Sequence, residues 1–240
     1  MFKLETHCHT YKTSHCATTP NQMLIDLYKN KGYNGIVVTN HFSKTIYNDY
    51  LAGATHAQKM DNYFNAFYEF KSLCNGNGIK AFLGAEVRVV DKNDADGTEY
   101  IILGFSKDIF YKEKLFNLTQ AELFSLVNEQ GALMYQSHPF RTGVVAGDPK
   151  YMHGAESFNG HYHHKNDNDK ALEFCVKNDL IKLSGTDFHH EDQPITAGII
   201  LPSCVDSEKE LANEIFNGNF TLIKDVELYE KSHADYIKTK

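Results

Sequence analysis

The sequence has no run approaching the ~18 consecutive apolar residues of a membrane-spanning helix, which argues against a membrane-embedded protein. Its opening, Met1-Phe2-Lys3-Leu4-Glu5-Thr6-His7, puts polar groups where a signal peptide would carry its apolar core. Five cysteines (8, 16, 74, 175 and 204) are odd in number and lack CxxC spacing, so a reduced, cytoplasmic protein is expected. An excess of basic charge is missing too. With 24 Lys and Arg against 31 Asp and Glu, the net charge is −7, which disfavours long nucleic acid as a partner. No linker, charge block, low-complexity run or fixed-period repeat divides the chain, and there is no tryptophan. What remains is ordinary globular material, 240 residues with 42% hydrophobic and 23% charged, enough to bury a sizeable core. One count stands out: 13 histidines against 5 methionines.

Short apolar strands alternate with amphipathic helices. Residues 2–8 alternate in period two, with Glu5, His7 and His9 on one face. Thr19-Pro20-Asn21-Gln22 reads as a helix start with Thr19 as N-cap and Gln22 closing a capping box. Gly32 ends that helix, and residues 35–39 form a β-branched strand. Residues 55–73 predict a long helix whose stripe of Tyr63, Phe64, Phe67 and Phe70 is core packing. A strand at 79–90 joins another at 100–105 through the turn Asp94-Ala95-Asp96-Gly97. Thr119 and Glu122 open a further capping box, and strands follow at 132–136, 154–158, 180–183, 198–201 and 220–224. Helices are expected near 169–177 and 208–216. This alternation implies a parallel sheet, doubly wound or closed as a barrel. The barrel is preferred because the chemically interesting residues fall at strand C-terminal ends. Residues 1–240 are read as a single domain, with 225–240 as a tail.

Those residues are His7 and His9 with His15 beyond them, then His41, Glu86, His138, Asp187 and His189. Positions i and i+2 on a strand point the same way, so His7-Cys8-His9 and Asp187-Phe188-His189 each aim two ligands into one space. A single His-x-His is common, and a lone histidine such as His41 is ordinarily a hydrogen-bonded or surface residue. Two such pairs at opposite ends of the chain, with three further candidates in equivalent positions, are together a metal signature. His161, His163 and His164, on the catalytic side by order in the chain, read as a solvated loop, with a position facing substrate as the other reading. His56, His153 and His233 have no motif context, and His190 is expected to point away from the site.

The segments Glu5-Thr6-His7-Cys8-His9-Thr10, Val38-Thr39-Asn40-His41, Gly84-Ala85-Glu86, Ser137-His138-Pro139-Phe140-Arg141 and Ser184-Gly185-Thr186-Asp187-Phe188-His189 resemble, in order, the motifs of the PHP (polymerase and histidinol phosphatase) domain. The resemblance implies a distorted (β/α)7 TIM-like barrel holding two to three divalent ions (Zn, Mn or Fe). It implies one site built by His7, His9, Glu86 and Asp187, a second bridged by Glu86 and including His138, and a third of His15, His41 and His189. Three departures are visible. Glu5 stands for the usual Asp, and Asn40 for the usual acid before the motif-two histidine. The histidine expected on the strand after Glu86 has no counterpart, since none lies between 57 and 137.

The expected reaction is hydrolysis of a small phosphomonoester by a metal-bridging hydroxide, as in a stand-alone phosphoesterase. Three ions bring six positive charges against two from Glu86 and Asp187, so the pocket attracts phosphate despite an acidic surface. Arg141 is a candidate phosphate contact, with a structural salt bridge as its other reading, and His189 or a metal-bound water would protonate the leaving group. Residues 142–153, rich in glycine and small side chains, are a candidate lid. Two other readings stay open: an amidohydrolase-like reaction on an amide or lactone, and a metal-binding domain without turnover.

Overall fold

The computed structural model describes every residue except 12, 50–53 and 91–97; the expected turn at Asp94-Ala95-Asp96-Gly97 lies outside the described residues. In chain order the elements are β1 (Phe2–Cys8), α1 (Asn21–Asn30), β2 (Gly35–Val38), β3 (His41–Phe42), α2 (Lys44–Asp49), α3 (His56–Gly76), β4 (Lys80–Arg88), β5 (Glu99–Leu103), α4 (Asp108–Lys112), α5 (Gln120–Asn128), β6 (Leu133–Gln136), β7 (Gly154–Asn159), α6 (Asn168–Lys177), β8 (Ile181–Gly185), β9 (Ala197–Leu201), α7 (Glu208–Phe216), β10 (Thr221–Lys224) and α8 (Val226–Lys238). Seven strands run side by side in the order β1-β2-β4-β5-β6-β7-β8, and β9 and β10 extend the sheet beyond β1. The chain after β8 returns to β1, where His9 N–H donates to the Phe188 carbonyl at 3.0 Å and Phe188 N–H to that of His7 at 3.3 Å. The result is the nearly closed, distorted TIM-like barrel that the motifs imply.

The sheet is not wholly parallel. β5 runs antiparallel to both β4 and β6, and β9 antiparallel to β1 and β10. Only residues 89–98 join β4 to β5, about ten where a parallel crossover needs a dozen or more, so the strand reverses. The reversal matters for the site, because it brings the first residue of β5, rather than its last, to the end where the other strands finish. In the register, Glu86 faces Ile101 and Arg88 faces Glu99.

Phe2, Leu4, Val37, Phe82, Ile101, Leu103, Leu133, Tyr135 and Leu183 make one apolar cluster. Phe82 and Glu86 share a face of β4, as Ile101 and Glu99 share one of β5. Apolar packing at one level of the barrel thus gives way to carboxylates at the next. The helix stripe of Tyr63, Phe64, Phe67 and Phe70 is buried as expected.

Two local expectations are corrected. Thr19 does not cap α1: Pro20 holds the N-cap position without a side-chain hydrogen bond, because the Thr19 hydroxyl donates to the His189 carbonyl and Gln22 bonds Asp26 and Asn77. Thr119 and Glu122 do form their capping box. Residues 225–240, expected as a tail, form α8 instead. Asp225 accepts from Leu228 N–H as its cap, and Tyr229 packs buried on Phe158 at 5.6 Å between ring centroids. The sparse apolar content of this segment, Tyr229 being its only buried residue, hides the helix from a reading by periodicity. No helix of the described residues is long and apolar enough to cross a membrane.

Candidate metal centre

His7 and His9 leave the end of β1 with their Nε2 atoms 3.0 Å apart. Their other ring nitrogens are engaged. His7 Nδ1 faces Glu156 Oε1 at 2.9 Å. His9 Nδ1 faces Ser14 Oγ at 3.2 Å, and that hydroxyl donates onward to Asn40 Oδ1. A carboxylate only accepts, so it fixes the His7 proton on Nδ1; Ser14, whose own proton goes to Asn40, fixes the His9 proton in the same way. Both Nε2 atoms then carry lone pairs aimed at one another. Asp187 Oδ1 joins them at 3.3 and 3.2 Å and Glu86 Oε1 lies 3.3 Å from His7 Nε2. Four acceptors with no proton among them repel unless a cation sits between, and imidazole with carboxylate is a donor set for zinc, manganese or iron.

The cluster continues around Glu86. His41 Nδ1 lies 2.7 Å from Glu86 Oε2 and 3.3 Å from Glu99 Oε1. His138 Nε2 lies 3.2 Å from Glu86 Oε1 and 3.5 Å from Glu99 Oε2. Despite this proximity, Glu86 Oε2, His41 Nδ1 and His138 Nδ1 are buried with no hydrogen-bond partner, which is a further sign of donors laid out for an ion. Glu99 was not foreseen. It stands where the second site lacked a ligand, and the sequence hid it because β5 runs backwards, so its first residue reaches the site. The His9 ring lies 4.1 Å from that of His189 and 4.3 Å from that of His41. The donors therefore fall into overlapping groups, His7-His9-Asp187, His9-His41-His189, His41-Glu86-Glu99 and His161-Asp187-His189.

Seven of the eight expected ligands converge, and His15 does not. It is exposed and enters none of these groups, while Cys16 beside it lines the cavity. His161, read as solvated, is buried instead: its backbone N–H donates to Asn159 Oδ1 at 3.0 Å and its carbonyl accepts from Asn166. His163 is partly buried and His164 exposed, with both on the cavity wall. His190, expected to point away, also reaches that wall while bonding the Thr18 hydroxyl at 3.0 Å. Of the candidate lid, Val144 borders the cavity, and Gly147 N–H is tied to Gln136 Oε1.

Charge explains the supporting residues. Burial pushes the Glu86 and Asp187 carboxyls up, but His7 with His41 beside Glu86, and His7 with Arg141 beside Asp187, outweigh it and hold both well below the usual range. Burial opposes a proton on His7, yet with no ion between them Asp187, Glu156 and Glu86 together outweigh it and raise His7 well above its usual value, so a bound ion would take the place of the proton on its Nε2. His9 moves the other way, lowered by burial and by His189 and His41. Arg141 fixes Asp187: its Nη2 meets Asp187 Oδ2 at 2.5 Å and Asn159 Oδ1 at 3.0 Å, and its Nε meets Asn166 at 2.9 Å. The salt-bridge reading of Arg141 thus describes its resting contacts. Asn40 reaches His9 only through Ser14.

Backbone conformation adds a second form of preorganisation. His138 (φ 33°) and Asp187 (φ 54°) both adopt left-handed geometry, which costs a non-glycine residue of order 1–3 kcal/mol. Gly185 has no room for a side chain, since a Cβ would lie 2.4 Å from that of His7 and 2.6 Å from Glu156 Oε1. Glu156 holds three parts at once, taking His7 on one oxygen and His138 N–H with Asn159 Nδ2 on the other. In Glu156→Gln the amide would keep its oxygen toward those two donors and turn its NH2 toward His7 Nδ1. That forces the His7 proton onto Nε2 and blocks the lone pair. Metal affinity should fall ~10–100-fold, as when such an outer partner is lost, and competition against a chromophoric chelator measures it.

The cavity over these groups has a volume of about 340 Å³ and is walled by Arg88, Arg141, His161, His163 and His164 above the donors. A larger groove of about 440 Å³ between α6 and α8 holds none of them.

No family model matches the sequence, and a search of the curated proteins finds no match. Among solved structures, the chain is similar to a two-domain Bacteroides vulgatus protein containing a predicted PHP-like metal-dependent phosphoesterase. The TM-score is 0.62 at 17% identity, over 98% of this chain and 69% of that one. An amidohydrolase from Chromobacterium violaceum with bound sulfate and no metal gives 0.56 at 13%, over 94% and 99%. A lesion-specific endonuclease from Pyrococcus furiosus gives 0.58 at 13%, over 92% of this chain and 57% of the endonuclease. The chain therefore has the fold of the PHP domain, the family its motifs resemble.

Proposed function

We propose that the protein is a metal-dependent phosphoesterase that hydrolyses a small phosphomonoester. The observation that carries this reading is the pair of imidazole nitrogens and two carboxylate oxygens facing one another at 3.0–3.3 Å at the end of β1. His7, His9, Glu86 and Asp187 would hold one ion, Glu86, Glu99 and His138 a second, and His41 with His189 a third. Divalent ions held there supply a water of lowered pKa and Lewis-acid stabilisation of phosphoryl oxygens.

The chain's own residues do the rest. Arg141 aligns Asp187 and presents a guanidinium to the cavity, where a phosphoryl oxygen could take up part of its charge. His189 Nδ1 donates to the Asp187 carbonyl at 2.9 Å, so its ring orientation is set and its other nitrogen faces the donors. A histidine engaged on both sides has no proton to give, which leaves solvent to protonate the leaving group. Arg88, partly exposed, binds Glu99 at 3.0 Å at the cavity rim, so a substrate meets arginine on two sides. A cavity of about 340 Å³ suits a small ligand more than a polymer. The five free cysteines fit a reducing, cytoplasmic setting, and the chain is taken as one domain.

The test is metal content together with turnover of p-nitrophenyl phosphate before and after chelation. Two or three ions per chain, with activity lost on chelation and restored by manganese or zinc, is the expected result. The likeness to an amidohydrolase keeps one rival in view: bound metal, no phosphatase activity and chelator-sensitive cleavage of an amide or lactone would replace the phosphoesterase. Metal with no turnover of either kind would point to a binding domain.

A further inference from the structure

The loop after β1 brings Cys16 to the wall of the cavity over the donors. Cys16 lines the cavity with His41 and His189, on its solvent-exposed side. Its neighbours are anchored on either side. The Ser14 hydroxyl accepts from the His41 backbone N–H at 3.1 Å, Ala17 N–H donates to the Ser14 carbonyl at 2.9 Å, and Thr18 N–H donates to that of His189 at 3.0 Å. Residue 16 is thereby held between the chain leaving His9 and the chain carrying His189. Three imidazoles, His9, His41 and His189, already bring one donor atom each within 4.8 Å of the others.

We propose that Cys16 ligates, as a thiolate, the ion held at the His9–His41–His189 end of the centre, in the place where the sequence suggests His15. This rests on the reading of the cluster as a metal centre and gives it a chemical polarity. Sulfur and imidazole form a soft set that favours zinc or iron, while Glu86, Glu99 and His138 at the other end form an oxygen-rich set suited to manganese. The two ends would therefore rank metals differently. Coordination deprotonates the thiol, and the proton leaves to solvent.

Cobalt(II) reports sulfur ligation directly. The metal-free full-length protein, reloaded with cobalt(II) alone, is expected to show a near-ultraviolet sulfur-to-cobalt charge-transfer band. The band should vanish in Cys16→Ser and Cys16→His, whose cobalt d–d absorption persists, and survive in His15→Ala and in Cys204→Ser. In the unsubstituted protein, which needs no variant to fold, alkylation of Cys16 should be lost on cobalt loading. Cobalt uptake without the charge-transfer band, a band that survives Cys16→Ser, or undiminished alkylation of Cys16 would overturn the proposal. Each of these can occur in an active phosphoesterase, so the thiolate ligand falls separately from the proposed function, whereas failure of the protein to take up cobalt at all overturns both.

Discussion

His9→Ala is expected to lower metal-dependent phosphoester turnover by ~10³-fold or more while leaving the fold intact. The side chain belongs to two of the four donor groups and its ring stacks on that of His189. Losing it removes the one His9 ligand atom, Nε2, that either group can draw on, and several kcal/mol of electrostatic stabilisation at a reacting centre correspond to about that factor in rate. The fold should tolerate the change because His9 lies past the end of β1, outside the three large apolar clusters. Steady-state kinetics with metal analysis and thermal unfolding checks both halves. Full turnover with full metal content would remove His9 from the ligand set.

Glu5 is the second position with a large expected effect, and here the effect is on stability. One oxygen accepts from the backbone N–H groups of Thr6, His7 and Thr186, each at 2.9 Å, and the other accepts from the Tyr28 hydroxyl at 2.8 Å. The carboxyl thus pins β1 to the segment following β8, across the seam where the barrel closes. Glu5→Ala strands four buried donors and should cost ~3–5 kcal/mol, the scale on which breaking a buried, fully bonded charged group destabilises. Burial, against the opposing hydrogen bonds, raises the Glu5 carboxyl to about 7. The folded protein then retains a proton that the unfolded chain releases near 4.5. This contribution is complete below pH 4.5 and is lost as pH rises toward 7. Glu5→Gln imitates the protonated carboxyl, so it should cost far less than alanine and flatten stability over that interval. Denaturant titrations of both variants at pH 5 and pH 7.5 decide the matter. An alanine variant as stable as the parent would show that the seam closes without this carboxyl.

The barrel and most of its donors were legible because they rest on local rules. Apolar strands in alternation with capped helices imply a barrel, and two-residue spacing places His7 with His9 and Asp187 with His189. What escaped depends on direction and on distance. Glu99 is invisible to any rule that looks for ligands at strand C-terminal ends, because β5 is antiparallel. His161 sits in a run of polar residues that looks solvated, yet Asn159 and Asn166 fold that run back onto the centre. Cys16 and His15 are adjacent, and Cys16 reaches the cavity wall on a loop anchored by hydrogen bonds from Ser14 and to the His189 carbonyl, many residues away in sequence. Thr19 satisfies the pattern of a cap but spends its hydroxyl on His189.

The C-terminal helix carries a consequence of its own. The Tyr229 hydroxyl accepts from the Asn166 backbone N–H at 3.2 Å and donates to the His164 carbonyl at 3.0 Å. Asn166 in turn bonds Arg141, which bonds Asp187. A phenol near the end of the chain is thus joined by three contacts to a carboxylate at the heart of the barrel. Shortening the chain at residue 225, the boundary that composition alone recommends, would take away the far anchor of that linkage and leave Asn166, beyond its bond to Arg141, held only by its side-chain bonds to the Asn159 and His161 carbonyls. Where this protein is trimmed, tagged or fused, its last helix should be handled as part of the centre.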